Sequence, residues 1–481
     1  MKTTRMLPSL LGLLVLFVLI AIWRHHVAEN LPLSVDEAYY MAWSKSLDWG
    51  YWTKPPVIAW AIAAARSVCG ETAGCVRITS LIAFPLTSLA LLVLCYRMTK
   101  SWTSACLTSA LFATLPVSSF YGIAATTDAF LLLFWACAML CLWLAIEGKF
   151  WAWPLLGLSF GLGLLSKYSM LVFGLSALLV LAHPKWRHAW KSPGPYLALL
   201  VAFLVFYPNL AWNLKYQMPT IQHTAAISQG GIGYGLRWDV LGKFLLEQLL
   251  LGNPFLVIAW GIAMVMGFRT LHHRYWFTLS VSLPILLVIS VQALLSRAHA
   301  NWAAPVFLGI CLASVGHLWQ SYKKIIAFAF AFNMLFAGCL YHYQTLIAKP
   351  FELRGTVASD PFWAVRPWPH LVAQISEELS LKHGQSSWKI SSDDRAVLAQ
   401  VQALLNLPPG SALGWLRHPQ PENHFELNFP LPAEQPSPVL LITKAPDDQV
   451  QQAFPQAVKQ REINANTPLE SFSYRLWWLE K

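Results

Sequence analysis

The sequence predicts an all-α polytopic membrane protein of about eleven transmembrane helices, followed by a small C-terminal α/β domain. Three observations carry that expectation. Apolar segments suited to a ~30 Å hydrocarbon core fill residues 1–345 almost end to end. Of 481 residues, 56% are hydrophobic and only 12% charged, far more apolar than an average soluble domain. From residue 346 to 481 the composition becomes that of a small soluble domain, within the usual domain size.

The first apolar run, Met1 to Trp23, begins with Lys2 and Arg5 and resembles a signal peptide. No small-residue cleavage site follows, so it reads as a retained first span. Further spans are expected near 78–96, 102–120, 129–146, 150–166, 168–182, 194–212, 244–267, 275–295, 302–320 and 325–345. Residues 150–182 are one apolar stretch interrupted by Lys167. As a single helix it would be ~50 Å long, too long for one crossing, so two short spans with Lys167 at the turn fit better. With the N-terminus inside, the inner loops hold Lys2, Arg5, Arg97, Lys100, Lys149, Lys185, Arg187, Lys191, Arg269, Arg274, Lys323 and Lys324. The outer loops around 121–128, 167 and 296–301 hold only Lys167 and Arg297. Basic residues near span ends set orientation, so the N-terminus is expected in the cytoplasm, and an odd number of spans puts the C-terminus outside.

The formal charge of +11 is accounted for by these inner loops, and no nucleic-acid partner is expected. Many of the 24 tryptophans lie close to the ends of apolar runs, as expected for interfacial belts. Six of the eight cysteines lie in apolar runs as small hydrophobes. Cys69 and Cys75 share a polar loop, where a disulfide or two free thiols are both open.

Residues 24–77 form a long first outer loop. Ser34-Val35-Asp36-Glu37 reads as a capping box, and Tyr39, Tyr40, Trp43 and Leu47 follow at helical spacing, an apolar face suited to the membrane surface. A second outer loop, 213–243, carries Gly230, Gly231, Gly233 and Gly235 and is expected to be mobile. In the tail, Arg395 to Leu405 reads as a helix, and Pro438 to Lys444 and Ser471 to Trp478 read as strands. The organisation expected is a membrane domain over 1–345, including the 24–77 loop, and an α/β domain over 346–481.

Asp36, Lys54, Asp128 and Lys167 all fall on the outer face, where charges beside lipid are costly. Each has an ordinary explanation. Glu37 would be the capping-box acid and Asp36 a complement to the helix dipole. Lys54 and Lys167 would be snorkelling anchors. Asp128 would cap a helix, a task Thr127 could perform without it. Two acids and two lysines on one face are harder to explain singly, because a carboxylate and a phosphate clamp are what displacing a lipid phosphate from a sugar requires. Pro55 and Pro56 stiffen the backbone after Lys54. Glu37, His223, Arg237, Arg297, His299 and Asn301 are weaker candidates for lining a substrate passage, as is Lys243. A glycine-rich phosphate loop, a nucleophile elbow and HExxH are absent from the sequence. No metal-ligand spacing is seen, and no cofactor is expected.

The segments Val35-Asp36-Glu37-Ala38-Tyr39-Tyr40, Leu47-Asp48-Trp49-Gly50-Tyr51-Trp52 and Lys54-Pro55-Pro56 resemble the first loop of bacterial family 39 glycosyltransferases. These are GT-C membrane enzymes related to protein O-mannosyltransferases and to the lipid A aminoarabinose transferase. Ala125-Thr126-Thr127-Asp128-Ala129, Gly163-Leu164-Leu165-Ser166-Lys167-Tyr168 and Asn301-Trp302-Ala303-Ala304-Pro305 extend the resemblance. It implies an inverting sugar transferase with a polyprenyl (undecaprenyl) phosphate donor, acting at the periplasmic side of the inner membrane. Asp36 would be the catalytic carboxylate and Lys54 the contact to the lipid phosphate; Asp128 matches the acid that opens the fourth span. The general branch often has His where Lys54 stands, and the aminoarabinose branch has Glu where Thr53 stands, which leaves a metal contact there open.

The expected acceptor is lipid A or another part of lipopolysaccharide, with another glycolipid or a protein as alternatives. A monomer is expected. The competing class is a flippase or transporter for lipid-linked sugars, which would place polar groups at the midplane of broken helices rather than at one surface.

Overall fold

A computed structural model describes residues 6–229, 235–270, 272–318, 323–353, 360–381, 388–434, 438–466 and 471–479. Gly230, Gly231 and Gly233 of the second outer loop lie outside them. The chain divides into two compact units. The first holds residues up to His26, Lys54–Ile58 and Ile78–Gly338. The second joins Val27–Thr53 and Ala59–Arg77 to the residues from Cys339 onward, so first-loop residues and the C-terminal sheet share one unit.

Among the described residues, each of the eleven expected segments is largely helical. Six helices among the described residues are long and apolar enough to cross a membrane: Met6–Glu29, Ala73–Thr99, Thr127–Ile146, Gly194–Lys215, His273–Leu295 and Lys323–Tyr341. This is a multi-pass membrane protein. Three of the remaining departures from eleven full-length spans have local causes. Pro116 lacks a donor N–H and forces Leu115 into an extended conformation (ψ 149°), which ends Trp102–Thr114 after 13 residues. Lys167 (φ −160°) separates Ala152–Leu164 from Leu171–Ala182. The 244–267 segment, expected as one span, is a pair, Trp238–Leu251 and Pro254–Met266, bent by 103°. Asn253 makes the bend at φ +68°, with its Nδ2 donating to Ala329 O at 2.7 Å and Asn333 Oδ1 at 2.8 Å. With this pair counted as one span the number rises to seven. Val306–Leu318, at 13 residues, also falls short of the ~20 needed to cross.

Small residues bring helices of the first unit together. A Cβ on Gly157 would lie 2.2 Å from Ala198 O, and one on Gly161 2.7 Å from Val205 Cβ. This pair at i, i+4 lets Ala152–Leu164 seat directly on Gly194–Lys215, as GxxxG surfaces do in lipid. Trp135, Phe112, Phe173, Phe277 and Phe307 fill the core between helices. Leu14, Leu19, Leu199, Leu204, Leu287 and Leu335 point outward, the surface a bilayer requires.

In the second unit a five-stranded mixed sheet runs in the order β2-β1-β3-β5-β4, with β1 Lys389–Ser392, β2 Ala412–Gly414, β3 Val439–Thr443, β4 Val458–Asn466 and β5 Ser471–Leu479. β1 pairs in parallel with β2 and β3, while β5 is antiparallel to β3 and β4. The expected helix is present as Arg395–Leu404, and both expected strands are β3 and β5. The first-loop helix Val35–Ser44 lies against Arg395–Leu404. Its aromatic face is therefore not a membrane-surface face: Tyr39, Tyr40 and Trp43 are buried among protein, and only Leu47 points out. The polar end of Tyr39 has a protein partner, since its hydroxyl accepts the His424 backbone N–H at 2.6 Å.

His424 sits within this aromatic cluster, its ring centroid 5.3 Å from Tyr51 and 6.0 Å from Trp43. Burial pushes its pKa from 6.5 down to about 3. Between those values the unfolded chain binds a proton that the folded chain refuses. Stability is thus complete above pH 6.5 and falls as pH drops through the window, by up to ~1.4 kcal/mol per pH unit. We expect acid unfolding, followed by tryptophan fluorescence of the full-length protein, to flatten in this window in His424→Gln; equal slopes for both proteins would refute it.

Candidate active site

In the first unit Asp128 is the centre of a buried polar cluster. It occupies the first turn of Thr127–Ile146 at 4% exposure. Its Oδ1 accepts from Lys167 Nζ at 2.7 Å and its Oδ2 from Asn301 Nδ2 at 2.8 Å. Asp128 is therefore not the cap. Thr126 holds the cap position, without a side-chain cap hydrogen bond, and Thr127 is already helical.

Lys167 reaches Asp128 because the chain breaks beside it. Its own N–H closes on Gly163 O at 2.9 Å, and Ser166 Oγ donates to Leu162 O at 2.8 Å. The segment after Lys54 is fastened to the same turn, since the Val57 N–H donates to Leu165 O at 3.1 Å. Lys54 itself is partly buried.

His299 and Asn301 flank Ala300, whose carbonyl accepts from Gln248 Nε2 at 2.8 Å. Partial desolvation lowers the His299 pKa, helped by the charges of Arg297, Lys167 and Lys54 and opposed by Glu247. His299 is thus a neutral imidazole among cations at neutral pH. Tyr121 is also perturbed: burial raises its pKa, and the Asp128 and Glu247 carboxylates add to the effect.

The structure therefore brings together Asp128, Lys167 and Asn301, with His299 and Lys54 in electrostatic reach. Arg297 Nε donates to Ile227 O at 2.7 Å. Arg237 pairs with Asp239 at 3.1 Å, and His223 lies on the Pro219–Gln229 helix. Lys243 faces Glu247 at 4.0 Å.

In the second unit the adjacent acids part company. Asp36 is 61% exposed by its side chain, with Arg395 Nη2 3.7 Å from Oδ1. Glu37 is 2% exposed. It completes the capping box with Ser34 and receives Arg77 through both oxygens, each at 2.7 Å. Cys69 and Cys75 are joined in a disulfide. Among the described residues, no three of His, Cys, Asp and Glu are gathered so as to hold a metal ion.

Removing one partner of the Asp128–Lys167 pair leaves a charge without its counter-ion in a nearly dry site. Lys167→Met and Asp128→Asn are each expected to cost roughly 2–3 kcal/mol, below the fully buried case because Lys167 keeps some exposure. The double variant should recover much of that loss. Thermal unfolding in detergent reads this out, and additive losses would show that the pair is not coupled.

Residues 53–212 match the family described as dolichyl-phosphate-mannose-protein mannosyltransferase. The lipid A galacturonosyltransferase of Rhizobium johnstonii is 29% identical over 422 residues, 85% of each chain. The undecaprenyl phosphate-alpha-4-amino-4-deoxy-L-arabinose arabinosyl transferase of Pseudomonas paraeruginosa is 30% identical over 165 residues, 33% of this chain and 30% of that one. The crystal structure of ArnT from Cupriavidus metallidurans bound to undecaprenyl phosphate superposes over 98% of both chains, with a TM-score of 0.68 at 15% identity. The chain is similar to the lipid A sugar transferases. It has the ArnT fold, and the resemblance read from its motifs is borne out. Three of its residues escaped the sequence reading: Glu247, Tyr121 and Arg395. An acid inside an apolar run is a functional signal in itself, so Glu247 could have been found. Arg395 carries no such local mark.

Proposed function

We propose that this protein transfers a sugar from polyprenyl (undecaprenyl) phosphate to lipid A, at the periplasmic face of the bacterial inner membrane. The observation that carries this is the likeness to the lipid A galacturonosyltransferase along 85% of both chains. A buried Asp128–Lys167–Asn301 cluster with Lys54 nearby supports a site for a phosphate and a polar sugar. An apolar cavity of about 480 Å³, lined in part by Leu142, Trp153, Phe160, Phe173 and Leu178, is suited to a segment of prenyl chain.

Transfer is a single displacement. The acceptor oxygen bonds to the anomeric carbon as the bond from that carbon to the donor phosphate oxygen breaks, which inverts the centre. The electron pair leaves with polyprenyl phosphate. Lys54 stabilises the charge building on that phosphate. Lys167, held by Asp128, has two N–H donors left for the same task. Asp36 takes the proton of an attacking hydroxyl, or orients an acceptor phosphate that has none to lose. Asp128 and Asn301 fix the geometry on which the sugar rests. The sugar is a hexose or pentose derivative.

Orientation follows the charge bias of the loops, with the N-terminus in the cytoplasm. The Cys69–Cys75 disulfide supports an oxidising outer face for the first loop. Eleven crossings include the short helices, and their odd number puts the C-terminus in the periplasm.

Mass spectrometry of lipid A from cells with and without the protein tests the proposal. A sugar present only with the protein supports it. An unchanged spectrum with altered glycoproteins would move the acceptor to protein, as the family matched by residues 53–212 would allow. Movement of lipid-linked sugar across vesicles without covalent product would favour a flippase.

A further inference from the structure

We infer that Arg395 is a positioning residue that sets the orientation of the Asp36 carboxylate; this rests on the reading of Asp36 as the group that acts on the acceptor. Asp36 stands in the first turn of Val35–Ser44 with its side chain largely in solvent. An aspartate so placed moves among rotamers of similar energy, and a general base must meet its proton at hydrogen-bond distance. The Arg395 guanidinium lies 3.7 Å from Asp36 Oδ1, and it is itself held.

Its carbon sits over the Tyr39 ring, 5.0 Å from the centroid, an arrangement that favours a planar cation. Tyr39 is a rigid platform, because it is fully buried, 4.6 Å from the Trp43 ring, with its hydroxyl bonded to the His424 N–H. The backbone of Arg395 opens a helix capped by Asp394, whose Oδ1 accepts from Ala396 N at 2.8 Å. Asp394 Oδ2 in turn accepts from Tyr474 of β5 at 2.8 Å. Further along the same helix, Gln400 Nε2 donates to Leu33 O at 2.9 Å, immediately before the capping box of the Asp36 helix. A continuous set of contacts thus runs from the C-terminal sheet to one oxygen of Asp36. The C-terminal domain contributes to the reaction through this arginine, not as a passive appendage.

A half-exposed ion pair contributes little to stability, so Arg395 variants should fold, and a kinetic effect can be separated from a folding effect. Full-length protein in proteoliposomes is given the total lipid extract of cells lacking it, which holds the natural donor and acceptor. Mass spectrometry follows product, and a dilution series of extract separates maximal rate from half-saturation. Arg395→Gln is expected to lower the maximal rate about tenfold or more, with half-saturation within about twofold, the mark of an interaction made in the transition state. Arg395→Lys should recover most of the rate. If Arg395→Gln turns over like wild type while Asp36→Asn is dead, the inference fails and the reading of Asp36 stands. If Asp36→Asn remains active, or the wild type yields no product, that reading fails and takes the inference with it. Loss in Arg395→Gln that tracks a lowered unfolding temperature, without rescue by Lys, would mark a structural role and overturn the inference.

Discussion

Asp36→Asn is expected to lower sugar transfer by about 10²–10⁴-fold, the range for losing a positioned general base, while the protein still folds and inserts. The side chain is 61% exposed and its ion pair with Arg395 is 3.7 Å long. Pairs of that exposure contribute at most ~1 kcal/mol, and a first-turn acid adds a few tenths through the helix dipole. The amide keeps the size of the carboxylate and loses only its charge and proton affinity. Rate and stability should therefore separate cleanly. Lipid A mass spectrometry in complemented cells gives the rate, and tryptophan fluorescence of the purified variant gives the fold. Transfer at the wild-type rate would remove Asp36 from the mechanism, and Asp128 would become the carboxylate to test next.

The sequence made some of this site readable because cost in lipid is a local property. Asp128 and Lys167 stand out as charges at the ends of apolar runs, and the structure joins them at 2.7 Å. Asn301 was readable only weakly, as a polar residue before Trp302, although it completes the Asp128 cluster. The helical segments were legible for the same reason, since apolar runs of membrane length have few alternatives to helix. Their interruptions were partly legible. Lys167 marked one break, but Pro116 and the Gly252-Asn253-Pro254 bend did not stop the reading of continuous spans, because hydropathy stays high across both. What joins distant segments was not legible. Nothing local tells that Tyr39 and Trp43 are covered by His424 and Phe425, or that Arg395 meets Asp36. An aromatic stripe beside a membrane has two possible partners, lipid and protein, and only tertiary packing decides between them.

The neighbour of Asp36 should behave in the opposite way. Glu37→Gln is expected to destabilise the protein by roughly 3–5 kcal/mol, the loss typical when one member of a buried ion pair is removed. Both side chains are almost dry, 2% exposed for Glu37 and 3% for Arg77. Arg77 also donates to the carbonyls of Ala28, Leu31 and Pro32, so it cannot turn out to water without releasing three acceptors. Glutamine keeps the hydrogen bond to the Ser34 N–H, now 2.9 Å long, but leaves the guanidinium uncompensated. Arg77→Met should cost as much, for it strands the carboxylate and the three carbonyls together. Combining the two changes should recover part of the loss, because a buried pair replaced as a whole is often close to neutral. Membrane yield and thermal unfolding provide the measurement; single variants as stable as wild type would contradict the buried pair. Successive residues on a helix point about 100° apart, which is how two adjacent acids come to serve different ends. One faces water beside Arg395, where its loss would stop the chemistry. The other faces inward to Arg77, where its loss would unmake the helix that presents the first.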